Sequence, residues 1–260
     1  MNTKILLPLT LIIGLTLGLN IGLSDQVFAE KIKFKIATIA PDGTPWSVML
    51  NRYKKKVSKD SNKRLKARVY LNSIKGDEQS IVRQVYQGKL QMGGVSTGAL
   101  STIVEDMDIL ELPYAFPDLK TADRVLEVRP LVDELLAEKG LKLVMYSENG
   151  YRSFATKDKC VRQPNDLKAL KMRSQESEVH VETYRALGAS PVTISVGEVL
   201  SSLQTGVVKG FDNTPIIAQA LGWSQAVKYF STSRHIYQPA LIIINKAWLD
   251  ALPEDLQKIV

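Results

Sequence analysis

One cysteine and two histidines are the side chains whose chemistry would be easiest to recognise. Cys160 could serve as a nucleophile with His180 or His235 as its base, the pairing that activates a thiol. Nothing local ties the three together, so an unpaired thiol and two unconnected histidines is the plainer reading. The sequence carries no G-x-S-x-G, P-loop, G-x-G-x-x-G or H-E-x-x-H pattern, which removes the commonest hydrolase, nucleotide and metalloprotease signatures. Gly93-Gly94-Val95-Ser96-Thr97-Gly98 looks superficially like a phosphate loop but lacks the Gly-Lys-Ser/Thr ending. Two histidines also argue against a zinc site. Neither metal nor cofactor is expected, and the chain does not read as an enzyme.

The elements that must position any site come next. Ile32, Phe34 and Ile36 alternate with Lys31, Lys33 and Lys35, the period of a half-buried strand. Thr44-Pro45 reads as an N-cap followed by proline at the first helical position. Trp46, Met49, Leu50, Tyr53 and Val57 then recur at helical spacing. Leu65 to Leu71 alternates again, Asp77 can cap a helix bearing Ile81, Val82 and Val85, and Met92 to Ser96 is a short buried strand. This β-α-β-α-β order implies a parallel sheet with helices on its faces. Further on, residues 121 to 139 read as one helix and 141 to 146 as a strand. Short strands follow around 154–155 and 171–173. Ser195-Val196-Gly197-Glu198 has the pattern of a capping box, and 238 to 245 is an apolar central strand. No repeat or low-complexity linker is visible, which favours two sheets with repeated crossings over two separate beads.

Bulk properties set the compartment. Lys4 followed by an apolar stretch from Ile5 to Leu23, with Val27-Phe28-Ala29 as a small-x-small site, reads as a signal peptide over residues 1–29. An uncleaved membrane anchor is the competing reading. The sequence has no cysteine before Cys160, so no lipid-modified N-terminal cysteine precedes the mature segment, and a single thiol permits no internal disulfide. Hydrophobic residues at 45% and charged residues at 23% describe an ordinary globular chain. The net charge of +7 is concentrated between Arg52 and Arg68. That run reads as a solvated helix face or as a docking patch for an acidic partner or anionic lipid. Nucleic acid is not expected as a partner.

Several short motifs in a fixed order carry a resemblance. They are Gly150-Tyr151-Arg152-Ser153-Phe154, Pro164-Asn165-Asp166-Leu167, Leu170-Lys171-Met172-Arg173, Gly188-Ala189-Ser190-Pro191 and Leu203-Gln204-Thr205-Gly206-Val207-Val208, with Gly210 and Asn213. From Lys31 to Val260 the chain resembles the solute-binding subunit of TRAP (tripartite ATP-independent periplasmic) transporters, the DctP-like family. The resemblance implies an α/β, two-lobed periplasmic-binding-protein-like fold of type II with a ligand cleft between the lobes. Lobe 1 would comprise residues 30–149 plus 239–260, and lobe 2 residues 150–238. It implies a periplasmic protein that captures a small organic ligand and delivers it to TRAP membrane permease subunits. A ligand-sensing protein would need the same lobes.

The resemblance also assigns residues. Arg173 stands where the family's arginine makes a two-pronged contact with a substrate carboxylate, a geometry suited to planar guanidinium. Arg152 matches a second arginine near the cleft; a salt bridge bracing the lobe is its other use. Asn213 could donate to the same carboxylate or simply form the turn before Thr214-Pro215. Asp77 and Ser96 fall where the first lobe contributes contacts, and helix capping explains them equally well. Lys209 and Val196 depart from acid-binding members. Ala40 to Trp46 is similar to a treponemal-type subgroup associated with apolar ligands and a helical-repeat periplasmic partner. Residues 253–260 read as the start of a helix, and members of the family continue from there with further C-terminal helices.

Overall fold

A computed structural model describes residues Lys31–Val260; the signal-peptide segment lies outside the described residues. The first third follows the expected alternation. Strand β1 (Ile32–Thr38) leads through helix α1 (Pro45–Asp60) to β2 (Leu65–Tyr70), and α2 (Glu78–Tyr86) leads to β3 (Met92–Ser96). Thr44 caps α1 by accepting from Ser47 N–H, with Pro45 opening the helix, and Asp77 caps α2 by accepting from Ser80 N–H. The three strands are mutually parallel around β1.

A short helix α3 (Thr97–Leu100) follows, then a 3-10 segment Glu105–Glu111, α4 (Leu119–Asp123) and α5 (Arg129–Glu138). The single helix expected over 121–139 is thus broken by a 3-10 stretch at Arg124–Val128. Pro130 explains the break: it has no N–H to donate, and its ring crowds the carbonyl four residues back, so it fits only where a helix begins.

Strand β4 (Leu141–Thr156) is the largest departure from the sequence reading, which divided it into two pieces. Its polar middle is not a loop. It pairs antiparallel with β8 (Tyr229–Asn245) from Leu141↔Asn245 to Thr156↔Tyr229, with register shifts between Leu143 and Met145, Glu148 and Gly150, and Arg152 and Phe154. Between these long strands lie β5 (Lys171–Ser174), α6 (Glu178–Ala186), β6 (Ser190–Thr193), α7 (Val199–Thr205), β7 (Gly210–Asn213) and α8 (Pro215–Ala220). Helices α9 (Lys246–Asp250) and α10 (Glu254–Gln257) follow β8. Ser195 makes no side-chain cap; its carbonyl accepts from Glu198 N–H at 3.0 Å in a 3-10 turn that precedes α7.

The strands form one eight-stranded sheet in the order β2-β1-β3-β8-β4-β7-β5-β6, correcting the expectation of two sheets. The reason is the β4–β8 pair, which runs through its three register shifts from one half of the sheet to the other. The fold is nevertheless two-lobed. Successive residues of a strand face opposite sides, and each half of the sheet is sandwiched between two hydrophobic clusters. In the first lobe Ile243 packs with Ile81, Val85 and Leu136, while Ile244 packs on the opposite face with Phe34, Leu50 and Val57. In the second, Ala155 packs with Val199, Phe211 and Trp223, and Phe154 packs oppositely with Leu167, Met172 and Tyr184.

Candidate functional site

A cavity opens where the two halves of the sheet meet, and its polar wall begins with Arg173 on β5. This side chain is 2% exposed. Its Nε donates to the Ile194 carbonyl at 3.0 Å, and its guanidinium lies 5.4 Å from the Trp223 ring centroid. Among the described residues no carboxylate forms an ion pair with it. Burial, then repulsion from Arg152, lowers its pKa to about 10. It therefore stays charged at neutral pH, with Asp212 and Glu78 acting on it only from beyond ion-pair contact. A buried charge left in that state is costly, and an anion entering the cavity would relieve it.

Arg152, on β4, also reaches the cavity wall, yet its donors are committed inward. Nε meets Asp212 Oδ2 at 2.6 Å and Nη2 donates to the Asp212 carbonyl at 2.7 Å. Nη1 donates to Gln175 Oε1 at 3.2 Å and to Gln238 Oε1 at 3.0 Å. Asp212 is itself embraced: Tyr184 Oη donates to Oδ1 at 2.9 Å, and His235 Nε2 and His180 Nδ1 lie 3.5 and 3.7 Å from Oδ2. Burial alone would raise the Asp212 carboxyl, but Arg152 and the two histidines hold it well below the usual carboxylate range. The brace expected as Arg152's alternative use is present in this geometry.

Asn213 ends β7 and lines the cavity. Its Oδ1 accepts from Thr214 N–H at 2.7 Å, so the turn takes the oxygen and leaves the amide nitrogen for a ligand. Asp77 and Ser96 are placed differently. The Asp77 carboxylate accepts from Ser80 N–H at 2.8 Å to cap α2, and Asp77 is not among the cavity-lining residues. Ser96 Oγ caps α3 by accepting from Ala99 N–H at 3.2 Å. Ser96 also offers its N–H and Oγ–H to the two oxygens of Glu78, at 2.8 and 3.1 Å. Glu78, which sequence reasoning passed over, is the carboxylate that faces the cavity. Burial raises its pKa against the two Ser96 hydrogen bonds. An acid in the first turn of a helix reads as a complement to the helix dipole, which is why it drew no attention.

The remainder of the wall is largely apolar: Trp46, Met49 and Leu50 from α1, Val95 from β3, Ile217 from α8 and Leu241 from β8. Trp46 Nε1 donates across to the Glu148 carbonyl at 3.1 Å, satisfying the one polar atom of its ring.

The thiol and histidines do not assemble into a nucleophile and base. Cys160 Sγ meets Ser231 Oγ at 3.5 Å. His235 Nδ1 meets Ser233 Oγ at 2.8 Å, and His180 Nε2 meets Glu111 at 2.6 Å. Among the described residues no group of three or more His, Cys, Asp and Glu side chains is arranged to hold a metal ion. No helix among them is long and apolar enough to cross a membrane.

Comparison with known proteins agrees with this geometry. The curated relatives include a solute-binding protein of Verminephrobacter eiseniae, 33% identical over 209 residues, 79% of this chain. The chain spans 62% of that protein's length. The C4-dicarboxylate-binding periplasmic protein DctP of Rhodobacter capsulatus is 29% identical over 95% of this chain and 74% of its own. Among solved structures, a TRAP periplasmic solute-binding protein from Anaerococcus prevotii with bound D-glucuronate is 28% identical. It superposes with a TM-score of 0.84, covering 88% of this chain and 75% of that one. The family model for bacterial extracellular solute-binding protein family 7, DctP, matches residues 36–260, so the chain belongs to that family.

Proposed function

We propose that this protein captures a small carboxylate-bearing organic ligand in the cavity between its lobes and delivers it to TRAP-type membrane permease subunits. The unpaired, buried guanidinium of Arg173 is the observation that carries the reading. A planar cation with free donors at a cavity wall matches a carboxylate, each charge-assisted hydrogen bond being worth ~1.5–3 kcal/mol. Arg152 presents the rim of its guanidinium beside it, and Asn213 supplies an amide N–H. Asp77 and Ser96 act at one remove, through the helix that carries Glu78 and through Glu78 itself. Solved relatives hold sugar acids, and one curated relative is named as a 2,3-diketo-L-gulonate-binding periplasmic protein of Escherichia coli, 25% identical over 93% of this chain. The lobes are assigned to residues 30–149 plus 239–260 and to 150–238, a division supported by the four hydrophobic clusters. The setting is the periplasm, reached by way of residues 1–29. A helical-repeat partner rests on the resemblance of residues 40–46 alone.

The test is calorimetric titration with a panel of small carboxylates, D-glucuronate first, alongside analysis of the recovered compounds. Saturable one-to-one binding with every compound recovered unchanged is the expected outcome. Chemical conversion of a bound compound would replace transport with catalysis.

A further inference from the structure

Glu111 is a carboxylate that the binding chemistry above does not use. It ends the 3-10 segment Glu105–Glu111 in the first lobe and is 0% exposed. Its partners come from three directions. Thr97 Oγ1 and Gly98 N–H donate to it within the first lobe. From the second lobe, Gln175 Nε2 donates at 3.3 Å and His180 Nε2 meets it at 2.6 Å. From the long strand β8, Gln238 Nε2 donates at 2.8 Å. The two glutamines turn their Oε1 atoms to the same Nη1 of Arg152.

We infer that Glu111 is a positioning residue that latches the lobes together and, through Gln175 and Gln238, sets the Arg152 guanidinium at the cavity wall. This rests on the reading of the cavity as an interlobe ligand cleft. The geometry makes the connection directional. A glutamine whose amide nitrogen faces Glu111 must turn its oxygen the other way, toward Arg152. With Glu111 withdrawn, each amide nitrogen loses its charged acceptor, and the second lobe keeps only its Ser177 and Val179 bonds to Asp108 as charged hydrogen bonds to that 3-10 segment. Gly98 belongs to the same device: a Cβ there would fall 2.1 Å from Gln175 Nε2 and 3.1 Å from the Glu111 oxygens. A side chain at 98 would push the latch apart.

The charged groups around the latch fix how it responds to protons. Glu111 faces His180 on α6 and Arg152 on β4, while His180 also faces Asp212 on β7. Asp212 in turn faces Arg152, Tyr184 on α6 and His235 on β8. Burial opposes charge on both partners, yet Asp212 and Glu111 raise the His180 pKa, and His180 and Arg152 lower that of Glu111. The latch is therefore held by charge below the raised histidine pKa and loosens as pH rises through it.

Paired spin labels read the latch directly. They are placed at exposed Lys54→Cys and Gln204→Cys, one per lobe, in a Cys160→Ser background. In ligand-free buffer, Glu111→Gln lowers the ratio of short to long label distances about tenfold, the effect of one charged hydrogen bond across the gap. His180→Gln does the same and removes the pH dependence of the ratio, which loss of packing alone would leave in place. Gly98→Ala reproduces the opening without changing any charge, and covers the case in which Glu111→Gln fails to fold. Glu105→Gln, exposed on the same 3-10 segment, leaves the ratio unchanged. Equal distance distributions in wild type, Gly98→Ala and His180→Gln across the pH range would overturn the latch. The carboxylate-binding role of Arg173 is tested separately: Arg173→Ala with undiminished D-glucuronate affinity defeats that reading while leaving the ligand-free distances to decide this one.

Discussion

Arg152 and Arg173 are the same residue type, on strands separated by β7, buried to 1% and 2% exposure. Their electrical situations are opposite. Arg152 makes four hydrogen bonds, two of them to Asp212, and its pKa is raised because that carboxylate outweighs burial. Arg173 makes one hydrogen bond to a carbonyl, and its pKa is lowered to about 10. Burial alone does not tell a bracing cation from a receiving one. The difference lies in whether a carboxylate stands in direct contact with the guanidinium.

The comparison can be broken most decisively at Asp212. Asp212→Ala strands Arg152 without its partner and should cost ~3–5 kcal/mol of folding stability, read by chemical denaturation. Arg173→Ala should instead cost ~3–5 kcal/mol of ligand affinity, roughly two to four decades. Its thermal midpoint without ligand should hold or rise, since an unpaired buried charge has been removed. If the two variants exchanged these phenotypes, the assignment of roles would be reversed. Arg173→Lys keeps the charge but not the planar fork, and titration should show a loss of about tenfold to a hundredfold, the worth of one charge-assisted bond.

A subtler distinction comes from pH. His180 has a raised folded-state pKa, so its contribution is complete below the ordinary histidine range and is lost as pH rises through the raised value. Glu111, lowered, contributes above the ordinary carboxylate range and loses that contribution as pH falls through its lowered value. His235 is lowered by burial and opposes His180, favouring folding at higher pH. Denaturation of His180→Gln across neutral pH should therefore show stability rising with pH where the wild type declines or stays level. The smallest effect is expected at Asp77→Ala, ~0.5–2 kcal/mol for a lost N-cap. Ligand affinity should be retained, since Asp77 lies outside the cavity wall.

How much of this was legible in the sequence follows the range of each interaction. Thr44-Pro45, Asp77 and the alternation of β1 are local, and the structure has them as read. The unity of β4 was hidden because Ser147 to Ser153 is polar and contains Gly150, whose φ of 93° accompanies a bulge. Arg173 was visible only through its family motif. Along β5, Lys171 and Arg173 share one side of the strand, yet the first is exposed and the second buried, so a period of two cannot rank them. Glu111 was invisible for a plainer reason. Gly98, Gln175, His180 and Gln238 lie 13, 64, 69 and 127 positions from it, and no window along the chain holds them together.

The basic segment noted at the outset ends on β2, which has a neighbour on one side only. Among the described residues no other strand pairs with its outer flank, and such an edge is the template on which a second copy could add itself and polymerise. Lys66 and Arg68 stand exposed along that flank, with Lys63 at its entrance. An approaching strand of the same protein would bring the same charges with it, so the copies repel each other along this edge of the sheet.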